Sequence, residues 1–563
     1  MSRTAAAAAF VRAHSIIDTR PGAAGIARAA LIALLAVVAL ASRTAMPIDE
    51  TRYLAVAWEM WQRGDFLVPH LNGAAYSHKP PLLFWLIHAG WAAFGVNDAW
   101  PRLVAPLCAI ATLLVTARAA RVLWPQAPWL ADRAAWILLG SMLFALFAVM
   151  LMFDMLLALC VAIGILGLAH AAQGRARGFV LLALAIGLGV LAKGPATLLH
   201  LAPAALLAPW WAGRALPRRR WYAGVALALL GGAALALAWA IPAGVRGGEA
   251  YRNAIFWGQT ANRMVESFAH RQPAWWYLPW LPLMLAPFLV WRPLWAGMRT
   301  PGVLDDRGVR LAVALMLPAL AAFSLVSGKQ LQYLLPQFPA FALFAARALD
   351  APQPARRPWL AGATLLGIAI VLLALPYVPR AAAFAPSSLA ATGAALVVAA
   401  LAAWLVRARR APGEQVPRLA AAAVVLLAVV HLAVVRTLAP AWDTRPLAGA
   451  IARLQAQGRP LVHDGVYHGQ YHFSGRLRAP LDQVTNVPSA QRWIAAHPDG
   501  AVIVYFKDRE ALASFSPLAT QPFRGRHATI VDAREAAGAV AASEALEERD
   551  AESETAGEPP PRP

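Results

Sequence analysis

Apolar runs of about twenty residues recur from Ile26 almost to residue 437. Each is long enough to cross about 30 Å of hydrocarbon. The runs predict spans near 26–41, 100–123, 133–150 and 155–172, then two more either side of Lys193-Gly194-Pro195. Further spans fall near 222–242, 274–296 and 310–327, another ends before Arg356, the next leads out, one returns to Arg407, and the last covers 419–437. That makes about thirteen. Arginines punctuate them at Arg3, Arg12, Arg20 and Arg28, at Arg118 and Arg121, at Arg175 and Arg177, at Arg214 and Arg218 to Arg220, at Arg292 and Arg299, at Arg356 and Arg357, and at Arg407, Arg409 and Arg410. Every cluster falls on one side of the resulting topology, as the positive-inside rule requires of a cytoplasmic face. The N-terminus is therefore expected inside, and two long loops, 43–99 and 243–273, outside. No internal repeat is visible.

The pattern changes after residue 437. Residues 438–540 read as a small soluble α/β domain on the outer face. Ala501 to Phe506 is a continuous apolar run of strand length, and Pro446 to Gln457 reads as a short helix. The end of the chain, 541–563, carries seven acids and four prolines from Glu544 onward and reads as a disordered acidic tail. The expected architecture is an all-α polytopic membrane domain over 1–437, followed by this domain and tail.

Composition sharpens the class. Of 563 residues, 60% are hydrophobic and 14% charged, against roughly a quarter charged in ordinary soluble domains. A soluble enzyme, a disordered scaffold and a secreted disulfide-rich protein are excluded. The net charge of +21 would suggest nucleic acid in a soluble protein, but cytoplasmic arginines account for it here, and no nucleic-acid partner is expected. Cys108 and Cys160 lie in apolar spans without CxxC spacing and read as packing residues.

Polar residues at membrane edges are costly, so their positions carry information. Between Asp98 and Glu249 the only acids are Asp132 and Asp154. Asp132, beside Arg133, suits a cytoplasmic helix start. Asp154 has no basic neighbour in sequence. It reads either as the cap of the following span or as a carboxylate held for chemistry. In the first outer loop, Leu54, Ala57, Trp58 and Trp61 fall at helical spacing, predicting an interfacial amphipathic helix that stops at Gly64. Asp49 reads as its cap or, with Glu50 and Arg52 beside it, as part of a site. Lys79 precedes Pro80-Pro81, a helix start already positive by its dipole, where a lysine is favourable if an anion binds. The second loop adds Arg263, His270 and Arg271, and the turn between the ninth and tenth spans adds Ser327, Lys329 and Tyr333. Acids, cations and tyrosines on one membrane face suit a lipid phosphate and a polar group leaving it.

These residues resemble a known family. Asp49-Glu-Thr-Arg-Tyr53, Gly64-Asp65, Val68-Pro69-His70-Leu-Asn-Gly73 and Tyr76-Ser-His-Lys-Pro80 look like the first periplasmic loop of bacterial GT-C glycosyltransferases. The nearest group is the lipid A aminoarabinose transferases, themselves similar to protein O-mannosyltransferases. The likeness continues through Asp154, Lys193-Gly194, His270 to Tyr277, and Ser327, Lys329, Tyr333 and Pro336, covering about residues 30–345 in order. The resemblance implies an inverting transfer, at the periplasmic face of the bacterial inner membrane, from a sugar on undecaprenyl phosphate. By position it makes Asp49 and Asp154 the catalytic acids. Lys79, Arg263, Tyr76 and Tyr333 become donor-phosphate residues, and Glu50, Arg52, Tyr53, His270 and Lys329 substrate contacts. His78 departs from the Glu-Lys-Pro usual in the group. With His270 it forms a weak candidate for a divalent metal such as zinc. His463, His468 and His472 have no standard metal spacing and read as surface histidines.

The expected acceptor is lipid A or a related envelope glycolipid, with a protein hydroxyl as the alternative within the class. The rival of another class is a lipid transporter or flippase. That reading lacks the inverted repeats and midplane polar residues such proteins tend to show.

Overall fold

The computed structural model describes residues 21–213, 216–257, 272–378, 385–407, 409–507, 512–536 and 538–540. Arg3, Arg12, Arg20, Arg214, the stretch with Arg263, His270 and Arg271, and the acidic tail lie outside them. Among the described residues, eight helices are long and apolar enough to cross a membrane: Gly22–Ser42, Ala99–Leu123, Phe153–Ala172, Arg218–Arg246, Arg307–Leu325, Trp359–Tyr377, Ser388–Val406 and Pro412–Ala456. The chain is a polytopic helical membrane protein.

Other expected spans are shorter or interrupted. The run at 133–150 divides into Trp129–Gly140 and Met142–Phe147, with the Ser141 hydroxyl donating back to the Ile137 carbonyl at 2.8 Å. The run at 274–296 breaks into Ala274–Tyr277, Leu281–Met284 and Arg292–Met298. Its prolines, at 273, 279, 282, 287 and 293, remove the amide donors a continuous helix needs.

The chain divides into two compact units. The first takes the chain up to Ala39, Arg102–Trp239 and Trp257–Ala433. Its polar ties are few and specific. Arg28 bonds Asp132 at 2.9 Å, Arg133 bonds Asp350 at 2.8 Å, and Asp306 caps the Arg307–Leu325 helix while accepting from Trp124 (3.0 Å) and Arg347 (3.1 Å). Phe153–Ala172 and Arg177–Lys193 form a tight antiparallel hairpin. A methyl group on Gly167 would stand 2.7 Å from the Gly178 carbonyl oxygen, so the backbones approach because neither residue has a side chain.

The second unit gathers Leu40–Pro101, Ala240–Phe256 and the chain from Val434. Its first stretch forms the Asp49–Arg63 helix, ended by Gly64 in the left-handed conformation, as the sequence predicts. Strands β1 (His70–Leu71) and β2 (Ala74–Ala75) then pair antiparallel around Asn72-Gly73, both with positive φ (52° and 83°). Asn-Gly is the favoured dipeptide for such a two-residue hairpin. The last stretch forms β3 (Leu461–Asp464), β4 (Asp482–Val484), β5 (Ala501–Phe506), β6 (Ala519–Phe523) and β7 (Arg526–Asp532) in the order β4-β3-β5-β7-β6. β3 runs parallel to β4 and β5, and β7 antiparallel to β5 and β6. The expected strand is therefore central. Ala501 and Ile503 face one core with Leu447, Ile451 and Ile530, while Val502, Val504 and Phe506 face another with Val462 and Val531. A strand buried on both faces reads as an unbroken apolar run.

Candidate active site

In the second unit, Asp49 is the first residue of its helix. The cap position is Ile48, with no side-chain cap bond, so Asp49 is not the cap. Its carboxylate accepts from the Arg52 guanidinium one turn on, with the Tyr53 hydroxyl at 3.5 Å. Glu50 is 1% exposed. Arg43 grips it with both terminal nitrogens (2.5 and 2.9 Å), and the Met46 amide adds a third donor at 2.7 Å. A carboxylate so enclosed fixes the chain's entry into the helix.

The same unit carries the donor-phosphate candidates of the first loop. Tyr76 is buried, its amide donates to the Pro69 carbonyl at 2.8 Å, and its ring lies 5.1 Å from His78. Lys79 is half-buried and stands just ahead of Leu82–Phe94, whose cap is Pro81. That helix is fixed on the Asp49–Arg63 helix through His88, which bonds the Ala57 carbonyl at 2.9 Å. Asp65 closes the loop, accepting from the amides of Leu67 (3.0 Å) and Val68 (3.2 Å) and from Arg246 (3.0 Å). Burial pushes its acidity toward the neutral form, but those donors prevail and hold it below the usual carboxylate range.

The C-terminal domain holds the three histidines that the sequence reads as surface residues. His468 is half-buried. Burial and the charge of Arg52 lower its imidazole below the usual value, with Asp49 opposing, so it shares the electrostatic surroundings of Asp49. The surface reading fails for its neighbours. His463 and His472 are 2% and 3% exposed. His463 Nε2 meets the Tyr505 hydroxyl at 2.9 Å, and Gln470 (3.0 Å) and Tyr471 (2.9 Å) meet that same oxygen. His472 Nδ1 meets the Tyr467 hydroxyl at 2.9 Å. Burial drives both imidazoles down to about 4. The burial of His463 depends on Tyr505, 42 residues away on another strand.

In the first unit, Asp154 lies in the first turn of Phe153–Ala172, whose cap, Met152, makes no side-chain bond. The capping alternative is thereby excluded. Asp154 instead accepts from the Lys193 ammonium, with side-chain exposures of 3% and 13%. The pairing follows from the hairpin. Residues 154 and 193 are equally far from the turn at Gln173–Gly174, so antiparallel packing brings them level. Lys193 also lies 4.7 Å from the Tyr333 ring centre, a cation–π contact that gathers three resemblance residues. Lys329, 4% exposed, donates to the carbonyls of Gln272 (2.8 Å) and Val326 (2.6 Å), and the Tyr277 hydroxyl donates to the Gln330 carbonyl at 3.2 Å. Arg263 and His270 lie outside the described residues. Among the described residues no group of three or more His, Cys, Asp or Glu could hold a metal ion, and His270, paired with His78 in the sequence reading, lies outside them.

The chain thus combines an apolar helical bundle with a small α/β domain after it. Residues 78–243 match the family profile described as dolichyl-phosphate-mannose-protein mannosyltransferase. The undecaprenyl phosphate-alpha-4-amino-4-deoxy-L-arabinose arabinosyl transferase of Pseudomonas aeruginosa (strain LESB58) is 31% identical over 348 residues, 58% of this chain and 60% of that protein. The protein of the same name from Edwardsiella ictaluri (strain 93-146) is 32% identical over 332 residues, 56% and 58%. The aligned stretch thus spans about 60% of the curated relatives' length. The crystal structure of ArnT from Cupriavidus metallidurans bound to undecaprenyl phosphate matches with a TM-score of 0.70 at 22% identity, covering 90% of this chain and 97% of that one. Its apo state matches at 0.67. The chain shares its fold, a GT-C membrane bundle followed by a small sheet domain, with that structure.

Proposed function

We propose that this protein is an inner-membrane glycosyltransferase that moves a sugar from undecaprenyl phosphate to an envelope glycolipid, lipid A first, at the periplasmic face. The observation that carries this reading is a pair of carboxylate–cation clusters, Asp49 with Arg52 and Asp154 with Lys193 and Tyr333, in a chain similar to transferases named for that donor.

The acceptor oxygen attacks the anomeric carbon from the face opposite the leaving group. The bond from that carbon to the phosphate oxygen breaks, and undecaprenyl phosphate departs with the electron pair. Negative charge grows on the phosphate, where fixed cations stabilise it most. Lys79, Arg263, Tyr76 and Tyr333 are proposed for that duty, with Lys193 held by Asp154 as a further cation. A hydroxyl acceptor needs its proton removed, and Asp49 is the proposed base. A phosphate acceptor is already nucleophilic, and Asp49 then orients it or holds a sugar amine. The match to a protein mannosyltransferase profile favours a protein hydroxyl as the second reading.

Mass spectrometry of lipid A from cells with and without the protein tests the first reading. A mass increment of one sugar on the phosphates, lost on deletion, is expected. Unchanged lipid A removes the glycolipid acceptor and directs the search to periplasmic glycoproteins.

A further inference from the structure

The second unit contains a cleft of about 570 Å³ lined by Trp58, Glu59, Trp61, Arg63, His472 and Arg478. Glu59 lies ten residues from Asp49 on the same helix, about 15 Å along its axis. It is 7% exposed, and its bonding is lopsided. Arg63 Nε (3.1 Å), Arg63 Nη2 (2.8 Å) and the Gly73 amide (2.9 Å) all converge on Oε1. Oε2 is buried with no hydrogen-bond partner among the described residues. Arginine ordinarily spans both oxygens of a carboxylate. Here it leaves one of them wanting a donor.

The rest of the lining says what that donor belongs to. Trp58 is fixed by its indole N–H on the Leu477 carbonyl (2.9 Å), and Trp61 by edge contact with Phe66 and Trp91. Rigid indoles beside a carboxylate acceptor suit a sugar ring, which offers apolar C–H faces and a rim of hydroxyl donors. His472 has its Nδ1 taken by Tyr467. Arg478 is exposed and makes no ion pair among the described residues. Glu59 and Arg63 cancel, so Arg478 leaves the cleft with one net positive charge. We infer that this cleft binds an anionic saccharide, with a sugar hydroxyl donating to Glu59 Oε2, the ring against Trp58 and Trp61, and the acidic group on Arg478. The inference rests on the cleft alone and is read by binding, so its failure and that of the transfer reaction are distinguishable.

The test is saturation-transfer NMR on the full-length protein in detergent, with glucosamine 1-phosphate as the probe. Saturation of the sugar-ring protons is expected, with affinity about tenfold weaker in Glu59→Gln and in Arg478→Ala. Arg478→Lys is expected to restore part of the loss. Arg478 is on the surface, so that pair reads the cleft even if Glu59→Gln unfolds. Unchanged affinity in Arg478→Ala overturns the inference, as does full displacement by an equal concentration of inorganic phosphate, which would leave an anion site only. Competition by lipid A in mixed micelles supports a glycolipid source of the saccharide. Continued probe binding without that competition supports a soluble glycan.

Discussion

At the residue scale, the two acids differ in what surrounds them. Asp49 is partly open, with 41% of its side chain exposed, and Asp154 is enclosed at 3%. Asp49→Asn and Lys79→Ala are therefore expected to abolish sugar transfer while insertion and thermal stability stay close to wild type. Full turnover by both variants would remove them from the machinery. Asp154→Asn strands the Lys193 ammonium in apolar surroundings. Breaking a buried pair from one side costs about 3–5 kcal/mol, whereas replacing both partners with apolar groups is often nearly neutral. A thermal melt of Asp154→Asn, Lys193→Met and the double variant should show two large losses and a smaller one. Transfer is expected to be absent in all three.

At the element scale, what the sequence conveyed depended on whether the determinants were local. β5 was legible because its six-residue run is of strand length and rich in β-branched and aromatic residues, as suits a strand buried on both faces. The Asp49–Arg63 helix was legible from its period and from Gly64. The Asn72-Gly73 hairpin was equally local and went unread, though its dipeptide is a strong turn signal. Asp154 with Lys193 was recoverable only by folding the chain about its turn, and the enclosure of Glu50 by Arg43 likewise needed the folded chain. The burial of His463 could not be read, since Tyr505 lies 42 residues away. The hairpin has its own test. Asn72 donates to the Leu481 carbonyl and accepts from the Leu481 amide, both at 2.8 Å. Asn72→Ala leaves those groups without that partner, at about 1–3 kcal/mol. Hydrogen exchange should quicken at the Leu481 amide, with little change in β5.

At the scale of the whole molecule, the second unit should be sensitive to acid. His463 and His472 have folded values near 4 against an ordinary 6.5. Between those values the unfolded chain binds protons that the folded one refuses. Their contribution is complete above about pH 6.5 and is lost progressively as pH falls toward 4. Asp532, held below the usual carboxylate value of 3.8 by the Arg534 amide and Arg459 although burial opposes this, adds a loss only in more acidic solution. The protection factors of β5 amides, exchange rates referred to the unfolded rate at each pH, should fall steadily between pH 6.5 and 4.5. Constant protection there would show that the imidazoles take up protons without opening the fold.

The second unit is assembled from three separated lengths of chain. Trp58 bonds Leu477, and Asn72 bonds Leu481, partners more than four hundred positions later. A ribosome working from the N-terminus delivers the early half of each contact long before the late half exists. Until then the first outer segment waits with its tryptophans and Asn72 unmatched. Biogenesis of this protein is therefore a matter of waiting and recruitment, and a nascent chain stopped before residue 477 presents quality-control proteases with a segment its native partners have not reached.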